Sequence, residues 1–342
     1  MSEILKTARS VLDGALSSRV FQAATVDVGT SDGPLWQDAW SAPLDTPFDL
    51  ASLTKPIATT TIFMRLVDEG AVVLDEPLAQ CFAEWRGSDR LNVTVRDLLE
   101  HSSGLAARLV DAPPAGRREF EHDICTMHLE YAPRAKSIYS DLGFILLGFL
   151  AADRGREPLD ALFRRVAAGI APAIAFLPTA DDRRRSAPTT ALPADVRRGR
   201  VLTGEVHDDY AAALGGAAGH AGLFGSAPAV GVFARAVLRA ARGDETAGAP
   251  LTPALVRLFT TPSGVPGSSR ALGWDTMRPT SSCGTHMSAS AFGHVGFTGT
   301  SLWIDPDRDR YFVLLTNRAY TGGSLDAMRD IRRGFHDALA DL

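Results

Sequence analysis

The apolar positions of this chain change rhythm several times, and each change predicts a different kind of element. Residues 1–14 place Ile4, Leu5, Ala8, Val11 and Leu12 at helical spacing, which predicts a short amphipathic helix. Residues 20–28 alternate and are β-prone, Gly29-Thr30-Ser31-Asp32-Gly33 reads as a turn, and residues 35–40 as the returning strand. After Phe48-Asp49-Leu50 the period becomes helical from about residue 52 to 69, with Gly70 placed to end the run. That run is apolar nearly all round (Leu53, Ile57, Ile62, Phe63, Met64, Leu66, Val67), so it is expected at the centre of the molecule.

Residues 71–215 are mainly helical in pattern, most clearly at 95–101, 140–152 and 159–168. The stretch 181–200, rich in Arg, Pro and Ala, reads as an exposed loop. Helical spacing returns at 228–242 and 253–259. The tail then turns to strands at 291–295, 301–305 and 311–317, joined by tight turns such as Pro306-Asp307-Arg308-Asp309, before a last helix at 325–342. Strands at both ends of the chain with helices between them predict an α+β fold. One antiparallel sheet flanked by helices is built from residues 1–70 and 216–342, and residues 71–215 form an inserted helical domain.

Composition adds little to this picture but excludes several roles. The 342 residues suffice for one large or two closely joined domains. A net charge of -5 with scattered cations argues against a nucleic-acid face or an anionic-membrane patch. No apolar run is long enough to insert in a bilayer, and the N-terminus lacks a signal-peptide pattern, so a cytoplasmic protein is expected. Cys81, Cys125 and Cys283 are far apart and odd in number, and are expected as buried free thiols. The basic residues are almost all Arg, with Lys only at 6, 55 and 136. Guanidinium stays charged, so a site that must give up a proton needs Lys.

Lys55 stands three residues after Ser52 at the start of the buried helical run, which puts both side chains on one face. An alcohol attacks a carbonyl poorly unless a base takes its proton, and Lys serves if desolvation or a nearby cation lowers its pKa. The simpler reading is a helix cap and a surface charge, and the all-round apolar helix weighs against it. Tyr139-Ser140-Asp141 opens a second helical stretch. A Tyr beside an ammonium can shuttle a proton, and Asp141 is either a first-turn residue or a partner that orients Lys55. The plain alternative is a capped helix with a packed Tyr. His294-Val295-Gly296-Phe297-Thr298-Gly299-Thr300-Ser301 ends a strand in glycines, which lets a ligand lie against the backbone. Its N–H groups can complete an oxyanion hole with that of Ser52. His294 is a candidate to hold a carboxylate or assist proton transfer, and otherwise belongs to a strand edge.

These three elements, in this order, resemble the serine β-lactamases and penicillin-binding proteins, nearest to the class C β-lactamases and their esterase and peptidase relatives. The family's motifs are S-x-x-K, then Y-x-N or S-x-N, then K-T-G or H-x-G. Here they stand as Ser52 to Lys55, Tyr139 to Asp141 and His294 to Gly296. Residues 95–105, 219–224 and 314–318 also resemble the family, and the likeness runs from about residue 20 to 339. The resemblance implies a β-lactamase-like fold, Ser52 as acylated nucleophile, and Lys55 and Tyr139 as carriers of the proton. It further implies substrate contacts from Asp141, His294, Gly296 and Phe297, and an oxyanion hole from the Ser52 and Phe297 N–H groups. Asp141 in place of Asn and His294 in place of Lys point away from efficient antibiotic hydrolysis.

The expected activity is therefore hydrolysis of a small ester or a cell-wall-derived amide or peptide, with no cofactor and no metal. A class C-type β-lactamase, a D-alanyl carboxypeptidase and a non-catalytic penicillin- or peptide-binding protein are the alternatives. Two other motifs carry less. Ser31 sits in a G-x-S-x-G pattern, but Pro34, Leu35 and Trp36 begin a second strand where a nucleophile elbow needs a helix. His101, His122, His128, His207 and His220 form no metal-ligand spacing, and hydrogen-bonding roles are expected for all five.

Overall fold

The computed structural model describes residues 3–190 and 198–342. Its main sheet has six strands: β1 (Ala24–Gly29), β2 (Pro34–Trp40), β3 (Asp275–Thr276), β4 (Phe292–Val295), β5 (Ser301–Asp305) and β6 (Arg310–Thr316). Their order is β2-β1-β6-β5-β4-β3, and every neighbouring pair is antiparallel. Strand β1 pairs with β6 from Ala24↔Thr316 to Gly29↔Tyr311, so the two ends of the chain meet in the middle of the sheet.

Helices cover both faces. α1 (Glu3–Ser17) and the C-terminal helix Leu325–Ala338 pack together on one side, over Ala24, Val26, Val28, Trp303 and Leu314. Helix Ala227–Ala241 lies on the other, against Leu302, Ile304, Val313 and Leu315. The alternation along β5 and β6 thus divides two apolar cores rather than a core and solvent. The N-terminal helix runs to Ser17, three residues beyond the expected end.

Among the described residues of 71–215 the longer regular elements are helices, including Val95–Leu99, Arg117–Thr126, Asp141–Gly155 and Leu159–Ala167. A second, three-stranded sheet ties this region to the rest. Leu223–Gly225 pairs on one side with Phe48–Asp49 and on the other with Ala175–Phe176. A single apolar core extends through both regions, from Leu53 and Phe63 to Leu146, Phe163 and Val313.

Three local expectations need correction. Residues 52–69 are not one α-helix: a 3-10 turn at Ala51–Leu53 leads through a π-helical segment, Lys55–Thr60, into the α-helix Thr61–Asp68. Pro56 has no N–H to offer, so the ladder widens there before regular bonding resumes. The stretch 181–200 is not simply a loop. Ala180–Arg185 is helical, capped by the Thr179 side chain, with acids in its first turn and arginines in its last. Pro188–Thr190 pairs with Leu202–Thr203, while 191–197 lie outside the described residues. Cys125 and Cys283 are buried free thiols, but Cys81 is only half-buried, near Arg154. Ser31 occupies the β1–β2 hairpin turn, which the Thr30 N–H closes onto the Gly33 carbonyl, and its hydroxyl is bound to Asp309.

Candidate active site

The strand Phe48–Asp49 delivers Ser52 through a tight turn. Ala51 adopts φ +48, a conformation that costs a residue with a Cβ some strain. The turn is held by Asp49, whose carboxylate accepts the Ala51 N–H at 2.8 Å and the His207 N–H at 2.7 Å. Burial pushes this carboxyl up to about 6. Thr54 accepts the Leu223 N–H, which fixes the same turn to the three-stranded sheet.

Lys55 is fully buried one turn below Ser52. Its ammonium meets Ser52 Oγ at 3.1 Å, Tyr139 Oη at 2.5 Å, Asp141 Oδ1 at 2.8 Å and the His220 carbonyl at 3.3 Å. Tyr139 donates to Ser52 Oγ at 2.6 Å. Two motifs far apart in sequence, Ser52 to Lys55 and Tyr139 to Asp141, thus share one hydrogen-bonded cluster. Tyr139 is aimed by its surroundings. Ser140 caps the following helix, donates its hydroxyl to the Ala106 carbonyl and its N–H to His101 Nδ1. The His101 ring lies 4.8 Å from that of Tyr139. Burial and the nearby Arg270 and Lys55 hold His101 well below its usual pKa, so the ring is neutral and accepts.

Asp141 faces two cations. Its second oxygen accepts from Arg108 Nη1 at 2.9 Å, the same nitrogen reaches Asp208 at 2.9 Å, and Asp208 pairs with His220 Nε2 at 2.7 Å. Lys55, Asp141, Arg108 and Asp208 therefore alternate in charge along one chain. This chain changes the proton bookkeeping expected of the site. Burial alone lowers the Lys55 pKa, but Asp141 and Tyr139 outweigh it, and the net direction is upward. Burial likewise raises Tyr139, more than the Lys55 charge lowers it. Asp141 stays below the ordinary carboxylate range: burial opposes this, and the charges of Lys55 and His220 prevail. The resting site holds an ammonium and a neutral phenol. Desolvation therefore does not free the Lys55 amine, because the carboxylate between Lys55 and Arg108 opposes it, and the phenol is kept neutral mainly by its own burial.

The turn after β4 forms the opposite wall. Thr298 Oγ1 donates to the Asp49 carbonyl at 2.8 Å and Thr300 Oγ1 to that of Leu50 at 3.0 Å, stapling the turn to the segment before Ser52. Gly296 is required by that closeness, since a Cβ there would lie 2.7 Å from the Leu50 carbonyl oxygen. The Phe297 N–H donates to no group among the described residues. The half-exposed Phe297 ring stacks on His207. His294 sits deeper, its Nδ1 on the Val295 carbonyl at 2.9 Å and its ring 5.9 Å from Tyr139. Burial, then Arg270 and Lys55, keep it neutral.

A cavity of about 470 Å³ opens over the cluster, lined among others by Ser52, Arg108, Tyr139, Asp208, Phe297 and Thr298. Asp141 also reaches this wall, whereas Lys55, His294 and Gly296 stand behind it. Arg108, Asp208 and Asp49 were not picked out from the sequence. Their contacts across the site, Arg108 with Asp141 and Asp208 and Asp49 with the His207 N–H, span 33 to 158 positions, which no local spacing marks.

The β-lactamase family model matches residues 17–335. The chain is 30% identical over 311 residues to an N-acetylmuramyl-L-alanine amidase of Bacillus subtilis (strain 168), covering 81% of this chain and 69% of that protein. It is 30% identical over 323 residues to a putative D-alanyl-D-alanine carboxypeptidase of Escherichia coli (strain K12), covering 84% and 72%. In structure it is similar to a class C β-lactamase from Rhodobacter sphaeroides, with a TM-score of 0.76, 17% identity, and coverage of 96% of this chain and 98% of that one.

Proposed function

The chain belongs to the β-lactamase family of serine hydrolases, and from that premise we propose that Ser52 is the residue acylated and that the substrate is a cell-wall-derived amide or peptide. The reaction type is the family's: a carbonyl carbon is transferred to a serine and then to water. The observation that carries the residue assignment is that Ser52 Oγ, at the cavity wall, is in hydrogen-bond contact with both Lys55 and Tyr139.

The reactive form of the site has one proton fewer than the resting form, shared between Lys55 and Tyr139 as a pair rather than owned by either. In it the Ser52 proton passes to the Tyr139 oxygen as Oγ attacks the substrate carbonyl. The developing oxyanion is met by the Ser52 and Phe297 N–H groups. Collapse breaks the bond to the leaving amine, which takes the proton from Tyr139. Water then enters, gives a proton back to the pair, and releases the acyl group as an acid while Ser52 regains its hydrogen. Arg108, partly exposed at the wall, offers a cation to an anionic part of the substrate.

The two curated relatives support a wall-derived amide or peptide, and small esters remain a second class because the same acyl transfer serves both. The buried, neutral His294 supports weak use of β-lactams, since it presents no fixed charge to their carboxylate. The test is a turnover panel of muramoyl-L-alanine amides, D-alanyl peptides, short p-nitrophenyl esters and nitrocefin, with intact mass after a fluorophosphonate or labelled penicillin. An adduct on Ser52 that Ser52→Ala lacks, with turnover of the amide or peptide, is expected. No adduct, or the same adduct on Ser52→Ala, overturns the nucleophile and leaves a binding protein. Turnover of nitrocefin alone overturns the substrate.

A further inference from the structure

Two arginines stand behind the turn that carries Phe297. Arg332, on the C-terminal helix and 6% exposed, donates Nη2 to the Gly296 carbonyl at 2.8 Å and to the Thr300 carbonyl at 2.9 Å. Arg318 donates Nε and Nη2 to the Phe297 carbonyl at 3.0 and 2.5 Å, and Nη1 to the Gly323 carbonyl. No carboxylate among the described residues pairs with Arg332, and Arg318 adds repulsion. Burial is the larger cause in pushing its pKa down to about 9, which still leaves it charged at neutral pH. A buried cation without a counter-ion is costly. The turn does not need it for hydrogen bonding. The Gly296 carbonyl also accepts the Gly299 N–H at 3.1 Å, and the Thr300 carbonyl the Gly296 N–H at 2.9 Å.

What the guanidinium does touch is one end of a peptide group whose other end is the Phe297 N–H, without an acceptor among the described residues and on a residue that lines the cavity. The Gly296 carbonyl and the Phe297 N–H belong to the same planar unit, with charge delocalised across its C–N bond. A cation on the oxygen draws electron density through that bond and makes the N–H a stronger donor. It also fixes the direction of the peptide dipole before any substrate arrives, which is the condition for stabilising a charge that appears only in the transition state.

We propose that Arg332 is a positioning residue for the oxyanion hole: held on the Gly296 carbonyl, it orients and polarises the Gly296–Phe297 peptide whose N–H receives the oxyanion. The inference rests on the reading of Ser52 as nucleophile and of the Phe297 N–H as an oxyanion donor. It assigns a reason for a buried charge that stability alone would select against.

The test uses the full chain with Arg332→Gln, Arg332→Met and Arg332→Lys. Removing a whole oxyanion donor costs about 100- to 1,000-fold in kcat, so removing its polarisation is expected to cost about 10- to 100-fold. KM should change little, and the Lys variant should recover part of the loss. In infrared spectra of the acyl-enzyme, the ester carbonyl band should move to higher frequency in the Gln and Met variants. Both neutral variants should be at least as resistant to urea as the wild type. Wild-type kcat in a neutral variant, a slowed variant with an unmoved carbonyl band, or marked destabilisation of both neutral variants overturns the proposal. If the wild type itself forms no adduct on Ser52, it is the underlying site assignment that fails.

Discussion

Asp141→Asn removes a negative charge from between two cations while keeping the side chain's size. Lys55 Nζ lies 2.8 Å from one carboxylate oxygen and Arg108 Nη1 2.9 Å from the other. At an effective dielectric of about 20, each contact is worth about 6 kcal/mol of gross attraction, most of it offset by the cost of desolvation. Breaking a buried pair by removing one partner costs about 3–5 kcal/mol. The Asn carbonyl still accepts one hydrogen bond and Lys55 can shed its proton, so the expected loss at pH 7 is about 2–4 kcal/mol. Urea unfolding of both proteins measures it.

The same change predicts a kinetic signature. In the wild type Asp141 leads the opposition to burial and holds the Lys55 pKa up. Without it burial prevails, and the Lys55–Tyr139 pair loses its proton at lower pH. The rising limb of kcat/KM against pH should therefore move acidward by about one pH unit or more. The stability difference has its own pH dependence. Asp141 has a folded pKa below its unfolded value, so its contribution is complete above about pH 4 and is lost as pH falls through the folded value. The gap between wild type and variant should accordingly narrow below about pH 4. An unchanged unfolding midpoint together with an unmoved kinetic limb would refute the reasoning that Asp141 sets the charge of Lys55.

Gly296→Ala would bring a Cβ 2.1 Å from Thr300 Oγ1 and 2.7 Å from the Leu50 carbonyl, so the turn must withdraw from Ser52. A fall in kcat of about 100-fold is expected, the size of losing one oxyanion donor, and wild-type steady-state kinetics would contradict it. Asp49 is pushed up by burial to about 6, above its unfolded value, so its stabilising effect is full below about pH 4 and is lost as pH rises through 6. Relative to Asp49→Asn, the wild type should lose roughly 3 kcal/mol of unfolding free energy between pH 4 and 7, and a pH-independent difference in urea titrations would exclude this account.

Much of the site was legible along the chain, for identifiable reasons. Ser52 and Lys55 are local to one helical turn, and an apolar run around a single lysine says that this lysine is buried. The strands β1, β2, β5 and β6 follow from alternation and turn chemistry within a few residues of where they were expected. The helix Arg117–Thr126 escaped because only Phe120, Ile124 and Cys125 are buried on it, too few to set a period. The π-helical turn at Lys55–Thr60 escaped because apolar spacing does not distinguish an i−4 from an i−5 ladder.

The amino-acid sequence by itself singled out the candidate groups: a serine, a lysine among arginines, a tyrosine and a glycine-bounded turn, in an order that names a family. The tertiary structure alone decided their charges. Lys55 keeps its proton because Asp141, 86 residues away, and Tyr139 together outweigh burial. Asp141 is in turn held by Arg108, and the turn carrying Phe297 is braced by arginines from the far end of the chain. A motif records side chains at fixed spacing, whereas a protonation state is set by burial and by every charge within a few ångströms. Those charges arrive here from segments with no spacing in common, which is why the site's membership could be read along the chain and its electrostatics only in space.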